Sequence, residues 1–210
     1  MKTKDSKLLL KINGKTVLER SVNAFLNISD VDEVIVVAKE KDIPAFSDIL
    51  TDERVSFVVG GDTRQQSVMN AVDVIDDCEL IIIHDGARPL IKSEDIENTI
   101  RAAKENKAAT VGVFVKDTVK VVDKNGFVVS TPDRSTLFAV QTPQIFDFEL
   151  YRNAAQNARE KGLDFTDDCQ LVESFNQKVK TVVGSYSNIK ITTPDDIVLA
   201  ENLLKNEALI

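Results

Sequence analysis

Short aliphatic runs alternate with stretches of helical spacing along the first half of the chain. Runs of Val, Ile and Leu without polar interruptions are typical of strands buried in a parallel sheet. Apolar residues that recur every three or four positions indicate helices packed on that sheet. This alternation indicates an α/β fold with right-handed crossovers between parallel strands. The predicted strands are 32–38, 55–59, 80–83 and 109–115, and the predicted helices are 17–28, 43–50, 63–75 and 94–106, the last capped by Ser93.

The alternation stops after residue 118. Two runs, 119–122 and 127–130, flank Asn125-Gly126, a dipeptide typical of a β-hairpin turn. Such a hairpin could project as an arm over the site or onto a partner subunit, or it could extend the same sheet at its edge. Beyond it we expect a strand at 137–141, a polar break at 141–144, helices at 147–160 and 168–175, a strand at 179–183 and a last helix from Pro194.

Size and composition limit what the chain can be. With 210 residues, of which 43% are hydrophobic and 29% charged, it suits a single globular domain over 1–210. The net charge of −8 argues against a broad surface for nucleic acid or anionic membranes, and no apolar run is long enough to span a bilayer. One histidine and two cysteines make no zinc pattern, and they favour a reducing, cytoplasmic location.

Polar side chains follow several predicted strands, and the ends of parallel strands share one edge of a sheet. The segment 84–88, His-Asp-Gly-Ala-Arg, follows the third strand, and the segment 116–118, Lys-Asp-Thr, follows the fourth. A carboxylate there can face Mg²⁺, and Arg64, Arg88 or Lys190 can face phosphate. These groups favour binding or transfer of a phosphorylated group. Taken alone, segment 84–88 is equally compatible with a surface turn that holds a local Asp–Arg pair.

Several common motifs are absent from the sequence. It has neither a Walker-type Gly-Lys-Ser/Thr loop nor a Gly-x-Gly-x-x-Gly fingerprint, which disfavours a P-loop kinase and a classical dinucleotide dehydrogenase. A Ser-His-Asp triad is disfavoured because His84 is the only histidine and no Gly-x-Ser-x-Gly elbow is present. We expect His84 to end the strand and to hydrogen-bond locally rather than to act as a base.

Six short motifs follow one another from end to end of the chain: GGDTRQQS at 60–67, HDGARP at 84–89, VKDT at 115–118, QTPQ at 141–144, TDD at 166–168 and NIKIT at 188–192. Together they resemble those of the bacterial 2-C-methyl-D-erythritol 4-phosphate cytidylyltransferases of the non-mevalonate isoprenoid pathway. Each motif is unspecific by itself, but the ordered set is highly specific.

The resemblance implies a Rossmann-like nucleotidyltransferase fold: a mostly parallel sheet, helices on both faces and a projecting β-hairpin dimerisation arm at about 117–141. It implies transfer of CMP from CTP to the methylerythritol phosphate. An oxygen of the substrate phosphate attacks the α-phosphorus, pyrophosphate leaves, and Mg²⁺ bridges the triphosphate oxygens. Lys7 and Lys190 match lysines at the α-phosphate, and Asp85 matches the residue near the metal and the substrate.

The resemblance also implies binding roles. Contacts to the cytosine and ribose of CTP fall on Gly61, Asp62, Ser67 and Gly86. Contacts to the sugar-alcohol substrate fall on Arg88, Thr142 and Thr166. In a homodimer, Thr118 and Arg134 on the arm of the neighbouring subunit would contact the substrate as well.

The N-terminus departs from the family pattern. The family begins with a buried strand and an Ala-Ala-Gly-x-Gly-x-Arg-Met loop around the CTP phosphates, and about twenty such residues have no counterpart before Met1. A start codon assigned too late, an expressed fragment or a degenerate copy would each explain this, and the first two are favoured because the other site residues are in place. A chain without that loop is expected to bind CTP poorly.

Two other functions remain open from the sequence. Ribitol 5-phosphate cytidylyltransferases of wall-polymer synthesis share the fold and the chemistry, although Ala87 before the arginine leans towards the isoprenoid enzyme. A non-catalytic dimerising module that has lost its nucleotide loop is the alternative from another class.

Overall fold

The computed structural model describes residues 6–207, with side chains through residue 205. Short 3₁₀ turns occupy Lys7–Leu9, Glu40–Asp42 and Arg134–Thr136. The strands and α-helices of the described residues are, in chain order, β1 (Lys11–Ile12), β2 (Lys15–Thr16), α1 (Val17–Leu26), β3 (Val34–Ala38), α2 (Ile43–Ser47), β4 (Val55–Val59), α3 (Arg64–Val72), β5 (Leu80–Ile83), α4 (Ser93–Asn106), β6 (Ala108–Phe114), β7 (Val121–Val122), β8 (Val128–Ser130), β9 (Phe138–Asp147), α5 (Phe148–Glu160), α6 (Asp168–Glu173), β10 (Lys180–Val183) and α7 (Pro194–Glu207).

The central sheet has the strand order β10-β6-β9-β5. β10 pairs with β6 in parallel, whereas β9 runs antiparallel to both β5 and β6. β5, β6 and β10 therefore point the same way, and their carboxyl ends lie at one edge of the sheet. β3 and β4 form a separate parallel pair. These directions agree with the predicted, mostly parallel α/β class, and β9 is the strand that opposes the others in the central sheet.

Helices cover both faces of the central sheet. Alternate side chains of a strand point to opposite faces, and two neighbours in β9 show this directly. Phe146 packs with α3, α5 and α6, while Ile145 packs with α1 and α4. The predicted helices on both faces are thus confirmed. Among the described residues, no helix is both long enough and apolar enough to cross a bilayer.

The segment 141–144 is part of β9, so the predicted polar break at this position is wrong. The register with β6 shifts between Thr110 and Gly112, where β9 carries extra residues as a bulge. A bulge admits Pro143 and polar side chains into a strand, because the regular ladder of hydrogen bonds is interrupted there. Gln141, Thr142 and Gln144 are buried as a result.

Ser93 is the first residue of α4 and not its cap, so that prediction is also wrong. Lys92 holds the N-cap position and makes no side-chain capping hydrogen bond. Glu94 and Asp95 lie in the first turn of the helix. Their negative charge at the positive end of the helix dipole favours this start without a capping hydroxyl.

The hairpin β7–β8 forms a two-stranded sheet of its own and does not extend the central sheet. Asp123 accepts hydrogen bonds from the backbone N–H groups of Asn125 and Phe127, and Gly126 takes the positive φ of +86° that the turn requires. Every side chain from residue 116 to residue 130 is exposed. The hairpin is therefore a projecting arm, as one of the two sequence interpretations predicted.

Candidate active site

The loop after β5 brings predicted site residues together. Nζ of Lys190 lies 2.9 Å from Oδ2 of Asp85, and Nε of Arg88 lies 3.3 Å from the same oxygen. Asp85 and Arg88 belong to one turn, closed by a 2.9 Å hydrogen bond from the Arg88 N–H to the Asp85 carbonyl. Lys190 arrives from the segment after β10. One carboxylate and two cations thus meet beyond the carboxyl end of a buried strand, where open α/β sheets bind ligands.

Backbone hydrogen bonds hold the Lys190 segment against this loop. The Ile191 N–H donates to the Ala87 carbonyl at 2.8 Å, and Nη1 of Arg88 donates to the Asn188 carbonyl at 2.8 Å. Nζ of Lys7 donates to the Ile191 carbonyl at 2.9 Å. Lys7 and Lys190, far apart in sequence, therefore meet at the same short segment.

The electrostatics of the site keep Asp85 ionised. Burial raises the pKa of its carboxyl, but the hydrogen bond and charge of Lys190, with the charges of Arg88 and Arg64, outweigh burial and leave the pKa below its ordinary value. An ionised Asp85 can hold Lys190 in place and can also offer an oxygen to a divalent cation.

His84 is a structural residue of this loop. Nε2 lies 3.1 Å from the Arg88 carbonyl, which can only accept, so this nitrogen carries the proton. The Thr142 hydroxyl, 3.0 Å from Nδ1, is then the donor to the other nitrogen, and it also accepts the Asp85 N–H at 3.0 Å. Burial lowers the pKa of His84 to about 4. The neutral, fully bonded ring agrees with the prediction that His84 hydrogen-bonds locally.

The glycine loop before α3 is built by its own side chains. Thr63 caps α3 by accepting the Gln66 N–H. Oγ of Ser67 accepts the Gly61 N–H at 3.1 Å, and a Cβ on Gly61 would lie 2.5 Å from that of Gln66. Glycine is therefore required where the loop closes on the helix. A cavity of about 420 Å³ adjoins this loop, between α3 and residues 159–164.

Arg64 forms an ion pair that the sequence analysis missed. Its guanidinium lies 2.5 Å from Oδ2 of the buried Asp168, whose Oδ1 accepts the Tyr151 hydroxyl at 2.7 Å. Burial lowers the pKa of Arg64, but the Asp168 charge and hydrogen bond more than compensate, and the pKa is raised. Asp167 caps α6, so the cap does not need Asp168, the second aspartate of the TDD motif. A second aspartate at that position was the sequence feature that could have indicated an ion pair. Arg64 is thereby engaged by protein, unlike the phosphate contact that the sequence suggested.

Other predicted residues lie apart from Asp85. Thr166 is exposed in the turn before α6, and Thr118 is exposed on the arm. Arg134 is exposed at the base of the arm and donates to the Lys116 carbonyl at 2.8 Å. Within the described chain, no hydrogen bond or ion pair joins these three residues to Asp85, Arg88 or Lys190.

Comparisons with known proteins give one consistent family. The sequence matches the family model of 2-C-methyl-D-erythritol 4-phosphate cytidylyltransferase over residues 1–206. The protein of that name from Caldanaerobacter subterraneus subsp. tengcongensis is 47% identical over 206 residues, or 95% of this chain and 91% of the relative. Its counterpart from Desulforamulus reducens is 43% identical over 211 residues, or 98% of this chain and 90% of the relative.

Solved structures agree with the sequence matches. The 4-diphosphocytidyl-2C-methyl-D-erythritol synthase from Anaerococcus prevotii has a TM-score of 0.87 at 37% identity, covering 93% of this chain and 88% of that chain. The 2-C-methyl-D-erythritol 4-phosphate cytidylyltransferase from Thermus thermophilus has a TM-score of 0.82 at 33% identity, covering 95% of this chain and 93% of that chain.

These matches confirm the Rossmann-like nucleotidyltransferase fold. They favour the isoprenoid enzyme over ribitol 5-phosphate cytidylyltransferase and over a non-catalytic module. The family model spans nearly the whole sequence, and Lys7, Lys190 and Arg88 converge at the Asp85 loop. The chain therefore belongs to the 2-C-methyl-D-erythritol 4-phosphate cytidylyltransferase family.

Proposed function

We propose that Lys7, Lys190 and Asp85 perform the family's reaction at the carboxyl end of β5: transfer of CMP from CTP to 2-C-methyl-D-erythritol 4-phosphate. A substrate phosphate oxygen forms a bond to the α-phosphorus, the bond from that phosphorus to the bridging β-oxygen breaks, and pyrophosphate leaves. The products are 4-diphosphocytidyl-2-C-methyl-D-erythritol and pyrophosphate. The observation that carries this proposal is the grouping of Lys7, Lys190 and Arg88 around the Asp85 loop.

The catalytic contribution of the lysines is electrostatic. Negative charge builds up on the oxygens around the α-phosphorus as the substrate oxygen arrives and pyrophosphate departs. Ammonium groups that are already held in place stabilise that charge without having to reorganise. Asp85 holds the Lys190 ammonium at 2.9 Å, and the Ile191 carbonyl holds that of Lys7 at 2.9 Å. Arg88, whose guanidinium is tied to Asp85 and Asn188, would orient the substrate beside them.

The nucleoside of CTP would lie along the loop before α3. Gly61, Asp62 and Ser67 would contact cytosine and ribose, and Gly86 would lie beside the ribose. The close approach of Gly61 to Gln66 leaves room for no side chain on Gly61, so its backbone is the group that would contact the nucleotide. On the substrate side, Thr166 completes the proposed contacts. The hydroxyl of the buried Thr142, which the resemblance also implied, is bonded to His84 and to the Asp85 N–H, so Thr142 would position the Asp85 loop instead of touching the substrate.

The donor set of the site fits a metal ion that arrives with the nucleotide. Among the described residues, no three His, Cys, Asp or Glu side chains cluster as a metal site. Mg²⁺ is commonly held by one or two carboxylates together with substrate phosphates. Asp85 is the carboxylate that would hold it here, and the ion would neutralise part of the triphosphate charge.

The projecting arm supports a homodimer. Phe127 is 72% exposed, Val129 65% and Val122 56%, an apolar surface on a two-stranded hairpin that has little core of its own. In a dimer, this arm would bring Thr118 and Arg134 to the substrate phosphate in the neighbouring subunit. Arg134 is exposed at the base of the arm, where the Lys116 carbonyl holds its guanidinium, so it is accessible to a neighbouring subunit.

A cytoplasmic location is part of the proposal. Cys78 and Cys169 are both free thiols, as expected in a reducing compartment.

Pyrophosphate release tests the proposed function. The chain is incubated with CTP and Mg²⁺, and in parallel reactions with methylerythritol phosphate or ribitol 5-phosphate. We expect release with methylerythritol phosphate alone. Release with ribitol 5-phosphate and none with methylerythritol phosphate would contradict the substrate assignment.

A further inference from the structure

Asn188 is a fully buried polar residue next to the proposed α-phosphate site, and no predicted role includes it. Its Nδ2 donates to Oε1 of Gln141 at 2.9 Å and to the Thr142 carbonyl at 3.0 Å. A backbone carbonyl can only accept, so the nitrogen of the carboxamide must face β9. The side chain thus ties the segment after β10 to the bulge of β9.

The main chain of the same residue reaches the other side of the site. The Asn188 carbonyl accepts Nη1 of Arg88 at 2.8 Å, and Lys190 follows two residues later. The Thr142 carbonyl accepts the hydrogen bond from Nδ2 of Asn188, and the Thr142 hydroxyl accepts the one from the Asp85 N–H. Asn188 is therefore the buried residue that links Arg88, Lys190 and Thr142 around Asp85.

A buried carboxamide lowers the stability of the fold unless its polar atoms form hydrogen bonds. Oδ1 of Asn188 is buried without a hydrogen-bond partner among the described residues. An unpaired buried acceptor opposes folding, and an apolar side chain of similar size would avoid that penalty. The two directed donor bonds are what such a side chain could not supply.

We propose that Asn188 is a positioning residue, whose carboxamide fixes residues 185–191 on β9 and so places Lys190 and Arg88 around Asp85. The catalytic consequence rests on the proposed function, whereas the structural consequence does not. Among the described residues, loss of the two donor bonds leaves the segment with one hydrogen bond to β9, the 3.4 Å bond from Nε2 of Gln141 to the Ser185 carbonyl. Its bonds to the Asp85 loop are then the Ile191 N–H, the Arg88 guanidinium and the Lys190–Asp85 ion pair, which alone does not fix the backbone that carries Lys190. Lys190 then samples positions away from the α-phosphate.

Steady-state kinetics test the catalytic consequence with two variants. Asn188→Ala removes the carboxamide, and Asn188→Asp keeps its shape but replaces the donor by an acceptor. We expect kcat to fall about a hundredfold in both, because small displacements of catalytic groups have effects of that order, with the KM for CTP changing much less. Thr99→Val is the matched control, since Thr99 is equally buried and its hydroxyl bonds only within α4. It should leave kcat within about twofold of wild type.

Amide hydrogen exchange tests the structural consequence and needs no turnover. The Ile191 and Asp85 amides should exchange at least about tenfold faster in Asn188→Ala than in wild type. In Thr99→Val their exchange rates should equal those of wild type. Equal exchange in all three proteins would overturn the proposal. So would faster exchange with an unchanged kcat, or full activity in Asn188→Asp, which would mean that shape and not donation matters. Exchange is measured without substrate, so its result tests the structural role of Asn188 even if the proposed cytidylyl transfer is wrong.

Discussion

Lys190 and Arg88 share a single oxygen of Asp85: Nζ of Lys190 lies 2.9 Å from Oδ2, and Nε of Arg88 lies 3.3 Å from it. Two cations on one carboxylate oxygen keep that carboxyl ionised, against the effect of burial. The same carboxylate holds the lysine in place before any phosphate is present. An arriving triphosphate therefore meets a preorganised ammonium group instead of a mobile one.

Replacing Lys190 with alanine should reduce kcat by about a hundredfold to a thousandfold, because it removes charge stabilisation at the α-phosphate. Lys178→Ala, at an exposed lysine before the amino end of β10, is the control and should retain wild-type turnover. Both are measured by pyrophosphate release at saturating substrates. An unchanged rate in Lys190→Ala would show that the assigned role is wrong.

The stability of the folded chain should fall as the pH drops, through His84. Its pKa is lowered from 6.5 to about 4, so between these values the unfolded chain binds a proton that the folded chain excludes. This contribution is fully present above the unfolded pKa and is lost as the pH falls towards the folded one. Between pH 7 and 5 the loss should be about 2 kcal/mol in the free energy of unfolding.

Urea unfolding of wild type and His84→Gln at both pH values measures that loss. Glutamine keeps a donor for the Arg88 carbonyl and does not titrate, and His84 is the chain's one histidine. The variant should therefore show only the loss that the carboxylates cause. Equal losses in the two proteins would mean that His84 does not titrate differently on folding.

Divalent metal binding should depend on CTP. With Asp85 as the proposed protein ligand, most oxygen ligands must come from the triphosphate, so affinity for Mn²⁺ should be at least about tenfold weaker without nucleotide. Electron paramagnetic resonance of Mn²⁺ with protein, with CTP and with both measures this. Asp85→Asn should bind no more metal than CTP alone. Equally tight binding without CTP would argue for a separate metal site.

Arg134→Ala should raise the KM for methylerythritol phosphate more than that for CTP, because Arg134 is proposed to act on the substrate phosphate of the neighbouring subunit. A mixture of the impaired variants Arg134→Ala and Lys190→Ala then makes the sharper test. Mixed dimers contain one site with both residues intact, so random exchange should restore roughly a quarter of wild-type turnover. Each variant mixed with itself is the control, and no recovery in the mixture would contradict action across the dimer.

Arg64→Leu should destabilise the fold by about 2 kcal/mol, because it leaves the buried Asp168 carboxylate without its cation. This loss is smaller than that for a fully buried pair because the Arg64 side chain is 35% exposed and water screens its charge. Adding Asp168→Asn should recover part of the loss, since the amide can still meet Tyr151 without a charge. Urea unfolding of the single and double variants checks this, and a neutral Arg64→Leu would show that the ion pair contributes nothing.

Local chemistry explains which elements the sequence predicted correctly. β3, β4, β5 and β6 are short runs rich in Val, Ile and other apolar residues, which is typical of strands, and Asn125-Gly126 is typical of a hairpin turn. Segment 141–144 resembles a break because of its proline and polar residues. It remains within β9 because Val140 and Gln144, on either side of the bulge, both pair with β6. Similarly, Ser93 resembled a cap until the observed start of α4 placed it inside the helix.

The sequence by itself determined the α/β class, the arm and the ordered motifs that identify the family, because these depend on residue type and short-range order. Only the tertiary structure decided the partners: Lys190 and Arg88 on Asp85, Arg64 on Asp168, and the Asn188 carboxamide on β9. Those contacts join residues distant in sequence, and which cation meets which carboxylate depends on strand order and on the bulge in β9. No local pattern encodes that geometry, since the same side chains in another register would face solvent.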